Sequence, residues 1–177
     1  MLFRSDKHVV ALKKITGKGS KAMTEADHRE RDRLEWLGGL YWSEDLQAIA
    51  LPSDNIERCL FDGAKKSKKG KDFQAAILVT ETEVVIDHRM KGETPEAMRA
   101  NPAYTLRTGI KVKSTQGRIM RIRPMIPTGW SLKFTAEYDP HILSESAIIQ
   151  AANDAGSLIG LGDWRPKFGR FAVEVLR

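Results

Sequence analysis

The sequence predicts an α+β protein in which helices cover one face of an antiparallel sheet. Apolar and polar residues alternate strictly over 104–113, 118–123 and 130–138. Alternation of period two is typical of antiparallel strands with one buried and one solvated face. A second pattern, a helix that begins at the cap residue Ser144 and ends near Leu158, carries an apolar stripe at helical spacing. We expect this helix to pack on the sheet.

Length and composition predict a single domain over 1–177. The chain is 41% hydrophobic and 29% charged, which is ordinary for a soluble globular protein. No apolar run reaches the roughly 20 residues that a membrane span needs, and the opening residues lack the apolar core of a secretory signal. We therefore expect a cytoplasmic protein with no membrane partner. The single Cys59 excludes an internal disulfide and a zinc site built on paired cysteines.

Local patterns predict the elements of the first half of the chain. Residues 1–23 are interpreted as a mobile N-terminal segment, because a hinge of Gly, Lys and Ser occupies 17–21. Thr24 is placed to cap a charged helix that ends at Leu37. Pro52 precedes a second helix over 54–66, with an apolar face at helical spacing. Strands are expected at 40–42, 48–51, 73–79 and 83–86, the last two forming a hairpin.

The second half is predicted to hold most of the sheet. The polar stretch 87–117 is interpreted as an insertion that contains a strand at 104–113 and one helical turn near Thr94. A last strand is expected at 171–175, where apolar residues alternate again after a glycine-rich segment.

Positive charge is concentrated in this sequence, which predicts an anionic partner. The net charge is +6 and the pI is about 9.5. On the alternating strands the solvated face is largely cationic, and Arg121 and Arg123 belong to it. The densest cluster follows the second helix, where a solvated flexible loop and a phosphate-binding surface both remain open as interpretations. Its five lysines are Lys65, Lys66, Lys68, Lys69 and Lys71.

The glycine-rich segment after the last helix is the strongest functional candidate. Glycine permits positive φ and lets another backbone approach closely, while cations in the same loop can contact phosphates. Trp164 and Phe168 lie inside the loop, where their rings could stack on bases; for Trp164 a core position remains equally open. A tight helix-to-strand turn is the alternative for the whole loop. Its other candidate residues are Gly160, Gly162, Arg165, Lys167 and Arg170, with Gly169 a further glycine.

The order of these elements predicts a ferredoxin-like (RRM-like) fold. A strand, a capped helix, a glycine-rich loop and a strand at the C-terminus form half of a split β-α-β unit. The helix over 54–66 can supply the other half, which gives helices on one face and an open sheet face on the other. The first strand would be short or missing, because only Met1-Leu2-Phe3 precede the charged residues.

Two segments resemble the repeat-associated mysterious protein (RAMP) superfamily. The segment Ile49–Leu60, IALPSDNIERCL, is similar to a strand, proline and capped-helix signature of that superfamily. The loop from Gly160-Leu161-Gly162 to Phe168-Gly169-Arg170-Phe171 resembles its C-terminal glycine-rich loop. The resemblance is to backbone subunits of CRISPR effector complexes and to small proteins encoded by phages or prophages. It implies RNA as the partner in preference to DNA, a bacterial host cell as the location, and assembly along a strand.

We therefore predict non-catalytic, sequence-tolerant binding of single-stranded nucleic acid by a self-associating protein, with no cofactor and no metal. Affinity would come mainly from phosphate contacts. The candidate contacts are Lys65, Lys66, Lys68, Lys69, Arg121, Arg123, Gly160, Gly162, Trp164, Arg165, Lys167, Phe168 and Arg170.

Two alternatives stay open. The chain could be a phage-encoded mimic of a CRISPR backbone subunit, acting by protein–protein contact with an effector complex. It could also be a metal-independent endoribonuclease, in which His8 or His28 would act as the acid–base group and Lys7 would stabilise charge. The histidines, His8, His28, His88 and His141, are isolated in four segments and form no metal-binding spacing.

Overall fold

A computed structural model describes residues 6–18, 22–111 and 118–176. The chain divides into two compact units: unit 1 is Met1–Ala50 with Val85–Leu132, and unit 2 is Leu51–Val84 with Lys133–Arg177. Both units mix helices with antiparallel strands, so the predicted α+β class is confirmed. The single domain over 1–177 stays a prediction.

The described elements of unit 1 are α1 Asp6–Thr16, α2 Glu25–Leu37, β1 Trp42–Ser43, β2 Ala48–Pro52, β4 Glu83–Asp87, α5 Pro95–Ala100, a 3-10 turn Pro102–Tyr104, β5 Thr105–Lys111, β6 Arg118–Pro124 and β7 Ser131–Leu132. Four of the strands form a sheet in the order β1-β2-β4-β7, and β5 and β6 form a separate two-stranded sheet. β2 and β4 run across the boundary into unit 2.

Local sequence rules predict most of unit 1 correctly. α2 begins after Thr24, whose side chain accepts from the Asp27 amide while the Asp27 carboxylate accepts from the Thr24 amide, a reciprocal capping box. The Thr94 side chain caps α5 by accepting from the Ala97 amide at 3.2 Å. The strand predicted at 104–113 is β5, and residues 112–113 lie outside the described residues. Met1–Phe3, the predicted short first strand, and part of the 17–21 hinge also lie outside them.

The expectation of one cationic face on the β5–β6 hairpin is wrong. Residues directly opposite one another share a face, and the register sets Leu106 against Arg123 and Arg107 against Ile122. Each face of the hairpin therefore mixes apolar and cationic residues. Alternation within a strand does not fix the register between two strands, and a shift of one residue exchanges the faces.

The described part of unit 2 contains three helices and one antiparallel pair of short strands. Its elements are α3 Ser53–Ala64, a 3-10 turn Lys65–Ser67, α4 Gly70–Ala76, β3 Ile77–Val79, β8 Ala136–Tyr138, α6 Glu145–Asp154 and a π-helical turn Ala155–Ile159. β3 pairs antiparallel with β8, with Ile77 opposite Tyr138. The predicted helices over 54–66 and 144–158 are confirmed, and the Ser144 side chain accepts from the Ala147 amide at 3.3 Å.

Three strand predictions that involve unit 2 are wrong. The alternating stretch 130–138 is two strands, β7 and β8, which pair with β4 and β3 respectively. The stretch 73–79 is helical as far as Ala76, and β3 pairs with β8, so 73–79 and 83–86 form no hairpin. The i, i+3 spacing of Phe73 and Ala76 buries both residues on the inner face of α4. Residues 170–176 form no strand: Phe171 donates to the Gly156 carbonyl at 3.1 Å, and Val175 stays 48% exposed.

α3 and α6 pack closely because α3 carries a glycine at the contact. A Cβ on Gly63 would overlap the Ala151 carbonyl oxygen and would lie 2.9 Å from the Ala155 Cβ. The apolar face predicted for this helix is buried in full, and it comprises Ile56, Cys59, Leu60 and Ala64. Helix α3 is therefore fixed against α6 and the turn that follows it.

The capping box of α2 makes a testable contribution to acid stability. Hydrogen bonds from the Lys18 ammonium, the Thr24 amide and the Thr24 hydroxyl lower the pKa of Asp27 from its ordinary 3.8 to about 2. A carboxyl whose pKa is depressed by folding stabilises the fold above its unfolded pKa and loses this contribution as the pH falls. The contribution is therefore present above about pH 4 and disappears toward pH 2.

We expect Asp27→Asn to remove the part of the acid sensitivity that lies between about pH 4 and pH 2. The measurement is the thermal unfolding midpoint as a function of pH, compared with Asp45→Asn, which changes an exposed aspartate in a turn. A parallel decline of the wild type and Asp27→Asn through this interval would contradict the assignment.

Candidate nucleic-acid interface

The last turns of α3 carry a charged face that continues into the lysine-rich turn. Arg58 Nε lies 3.2 Å from Asp62 Oδ2, and Lys65 Nζ lies 3.1 Å from Asp62 Oδ1. These pairs have the i, i+4 and i, i+3 spacings at which helical side chains meet. Asp62 therefore holds two cations side by side at the end of the helix.

The glycine-rich segment is a closed loop attached to the same helix. Leu161 donates to the Gly169 carbonyl at 2.8 Å, which brings the two ends of the loop together. The Cys59 thiol of α3 donates to the Gly160 carbonyl at 3.3 Å. Gly160, Gly162 and Gly169 have φ of 81°, 92° and 75°, so all three adopt the positive φ that glycine permits. The loop is thus closed by a backbone hydrogen bond and held against α3 by the Cys59 side chain.

This attachment brings the loop cation Arg165 to the charged face of α3. Arg165 Nη2 lies 3.8 Å from Asp62 Oδ2. Beside this pair is an open cleft of about 420 Å³ lined by Asp62, Lys65, Lys66 and Arg165, with apolar walls from Leu158, Ile159 and Pro166. The fold of unit 2 thus brings the glycine-rich loop next to Lys65 and Lys66, which are about 100 residues away in the sequence.

The cleft is electropositive although unit 2 as a whole is not. Burial would raise the pKa of Asp62, but the hydrogen bond from Lys65 and the charge and hydrogen bond of Arg58 outweigh it and lower that pKa. Asp62 is therefore a carboxylate shared by Arg58, Lys65 and Arg165, and Lys66 adds a fourth cation. Unit 2 contains 11 Lys and Arg against 12 Asp and Glu, so the excess of positive charge is local.

Aromatic rings accompany the cations. Trp164 and Phe168 stack with centroids 6.2 Å apart and an interplanar angle of 26°. Phe168 is 38% exposed and Trp164 is half-buried. The Lys167 ammonium lies 5.4 Å from the Phe168 ring centroid. The pair is therefore partly accessible to solvent and has a cation beside it.

The other predicted contacts lie away from the cleft. Lys68 and Lys69 are exposed on the turn before α4 and do not line it. The Arg170 guanidinium donates within the loop to the Pro166 carbonyl at 2.9 Å. Gly162 faces open space, with no heavy atom within 4 Å of a Cβ built there.

Arg121 and Arg123 belong to unit 1, on β6. Arg121 forms an ion pair with the buried Glu35 of α2. Its charge is thus already matched within unit 1. The structure therefore brings together Lys65, Lys66 and Arg165 from the predicted set.

Asp62, Arg58 and Phe61 also belong to this charged face, although the sequence did not lead us to expect them there. The signal was present, because 58, 62 and 65 have the spacing of a charged stripe on one helix face. Phe61 lies beneath two of these cations: Lys65 Nζ is 4.2 Å and Arg58 Cζ is 4.9 Å from the ring centroid. For this helix the sequence prediction concerned only the apolar face.

None of the described residues that line the cleft is a histidine or a cysteine. Burial raises the pKa of the Cys59 thiol to about 11, with the Arg165 charge opposing the shift. His8 and His28, the candidates of the ribonuclease alternative, are on α1 and α2 and do not line the cleft. Across the described ranges, no three His, Cys, Asp or Glu side chains are grouped as a metal ion would require.

Comparison with protein-family models, with characterised proteins and with solved structures gives no match to this chain. None of the helices in the described part of the chain has the length and apolar character needed to cross a membrane.

The closed form of the loop can be tested at two glycines that both have positive φ. A Cβ on Gly169 would overlap the Leu161 carbonyl, whereas Gly162 has open space around it. We expect Gly162→Ala to cost about 1 kcal/mol of unfolding free energy through backbone strain, and Gly169→Ala to cost about 3 kcal/mol or more. Urea denaturation measures both. Equal losses would show that the ends of the loop are not in contact.

Proposed function

We propose that this chain binds single-stranded nucleic acid without catalysis and without strong sequence preference, favouring RNA over DNA. The observation that carries the proposal is the cleft in unit 2 where Lys65, Lys66 and Arg165 meet. The preference for RNA rests on the resemblance to the RAMP superfamily.

Phosphate contacts would supply most of the affinity. Each phosphate neutralised by Lys or Arg releases condensed counterions, which makes binding weaken as salt rises. Lys66 is the most available of the cleft cations, since it forms no ion pair among the described residues. Lys65 and Arg165 share Asp62, but three cations on one carboxylate leave positive charge for a ligand.

The stacked aromatic pair supports a single-stranded ligand. Base stacking on aromatic rings is tolerant of sequence, because every base has a π face, and it contributes about 1–3 kcal/mol per base. Trp164 is the chain neighbour of Arg165. Bases in a duplex are already stacked on one another, so a surface of this kind favours an unpaired strand.

A ferredoxin-like arrangement of unit 2 is part of the proposal. Two features support it: the close packing of α3 on α6, and the antiparallel pairing of β3 with β8. In a split β-α-β fold the two helices share one layer, and the second and third strands are neighbours. Membership of the RAMP superfamily is also part of the proposal, and it rests on the resemblance of the two segments Ile49–Leu60 and 160–171.

We expect Lys66→Ala combined with Arg165→Ala to weaken binding of a single-stranded RNA and to reduce the salt slope by about 1.4, or roughly 0.7 for each lost contact. Fluorescence anisotropy over a salt series measures both quantities. Lys71→Ala is the matched control, because Lys71 is an exposed lysine of the same run that does not line the cleft.

An unchanged slope in the double variant would contradict the proposed interface. If the wild type binds no RNA or DNA and instead co-purifies with a CRISPR effector complex, the proposal of nucleic-acid binding is wrong. The alternative, a phage-encoded mimic of a CRISPR backbone subunit, then replaces it.

We also propose that copies associate along a bound strand. Within the described residues β8 pairs only with β3, so its outer edge is unpaired, and such edges are templates for strand pairing. Leu78 and Tyr138 on this small sheet are 57% and 38% exposed.

Sedimentation velocity tests this association. We expect several copies to sediment together on a long RNA, and Tyr138→Lys to reduce their number, since a charge on an edge strand disfavours pairing. One copy per strand at every length and protein excess would overturn it.

A further inference from the structure

The cations at the cleft of unit 2 are grouped around a single carboxylate, that of Asp62. Arg58 and Arg165 both approach Asp62 Oδ2, and Lys65 approaches Oδ1. The charges therefore converge on one place instead of following a line. A strand that passed through by its backbone would need cations spaced along a groove.

The volume of the cleft also favours a short ligand segment. About 420 Å³ lies within the range of roughly 300–1,000 Å³ that is typical of small-molecule sites. Apolar walls from Leu158, Ile159 and Pro166 border the cations. A space of this size suits one terminal nucleotide.

The charge in the cleft matches a phosphate monoester better than a phosphodiester. An internal phosphodiester carries one negative charge, whereas a phosphate monoester carries about −1.5 to −2 at pH 7 and presents three acceptor oxygens. Lys65, Lys66 and Arg165 provide three cationic groups from two different segments of the chain, and the Asp62 carboxylate in the same lining offsets one of them. The remaining excess of two positive charges corresponds to the charge of a phosphate monoester. Arginine can in addition bind phosphate oxygens in a bidentate manner.

We propose that this cleft binds the terminal phosphate monoester of a nucleic-acid strand. This inference rests on the proposed function and adds strand-end recognition to it. Asp62 is a positioning residue: its ion pairs hold Lys65 and Arg165 at the cleft before the ligand arrives. The base of the terminal nucleotide stacks on the aromatic pair formed by Trp164 and Phe168.

The test compares three labelled RNA strands of one sequence that carry a 5′-phosphate, a 3′-phosphate or no terminal phosphate. Anisotropy titrations at one salt concentration give their affinities for the full chain. We expect one phosphorylated strand to bind about tenfold more tightly than the unphosphorylated strand, as for one added charge-assisted hydrogen bond. The preferred phosphorylated end, 5′ or 3′, identifies the polarity of the bound strand.

Variants connect this preference to the cleft. Lys66→Ala should bring the ratio between the phosphorylated and unphosphorylated strands close to one, and Lys71→Ala should leave the ratio unchanged. Both lysines are exposed, so the comparison is between two folded proteins.

The outcomes separate the two proposals. Equal binding of all three strands overturns end recognition but leaves the proposed function standing. A tenfold preference that persists in Lys66→Ala also overturns end recognition by this cleft. Absence of binding to all three strands overturns the proposed function together with this inference.

Discussion

The close packing of α3 on α6 is the constraint on which the candidate site depends. Gly63 allows the approach, because any side chain there would overlap the backbone of α6. With α3 in this position, the Cys59 thiol meets the Gly160 carbonyl and fixes the start of the glycine-rich loop. Arg165 then lies 3.8 Å from Asp62. A buried helix contact thus determines where the surface cations are.

Asp62 decides the electrostatic character of the site. Without it, Arg58, Lys65 and Arg165 would repel one another at close range; with it, they share one carboxylate and keep a net positive charge. Because unit 2 has nearly equal numbers of acidic and basic residues, its long-range field gives little attraction for a polyanion. The proposed binding therefore depends on local geometry, and the overall charge of +6 is a poor guide to it.

The sequence predicted what depends on neighbours in the chain. The caps at Thr24, Thr94 and Ser144 and the positive φ of the loop glycines follow from a few adjacent residues each. Strand partners and register depend on distant segments, which explains the wrong hairpin at 73–86 and the mixed faces of β5–β6. The lysine run and the glycine-rich loop were identified separately. That both segments meet at Asp62 could be seen only from the folded structure.

The central claim is that a single strand binds at the junction of α3 with the glycine-rich loop. An NMR titration of the ¹⁵N-labelled chain with single-stranded RNA tests it most directly. The account predicts amide shifts concentrated at 62–66 and 158–168, with little change on β6. Shifts confined to β6, or saturating RNA with no change at 62–66, would contradict it.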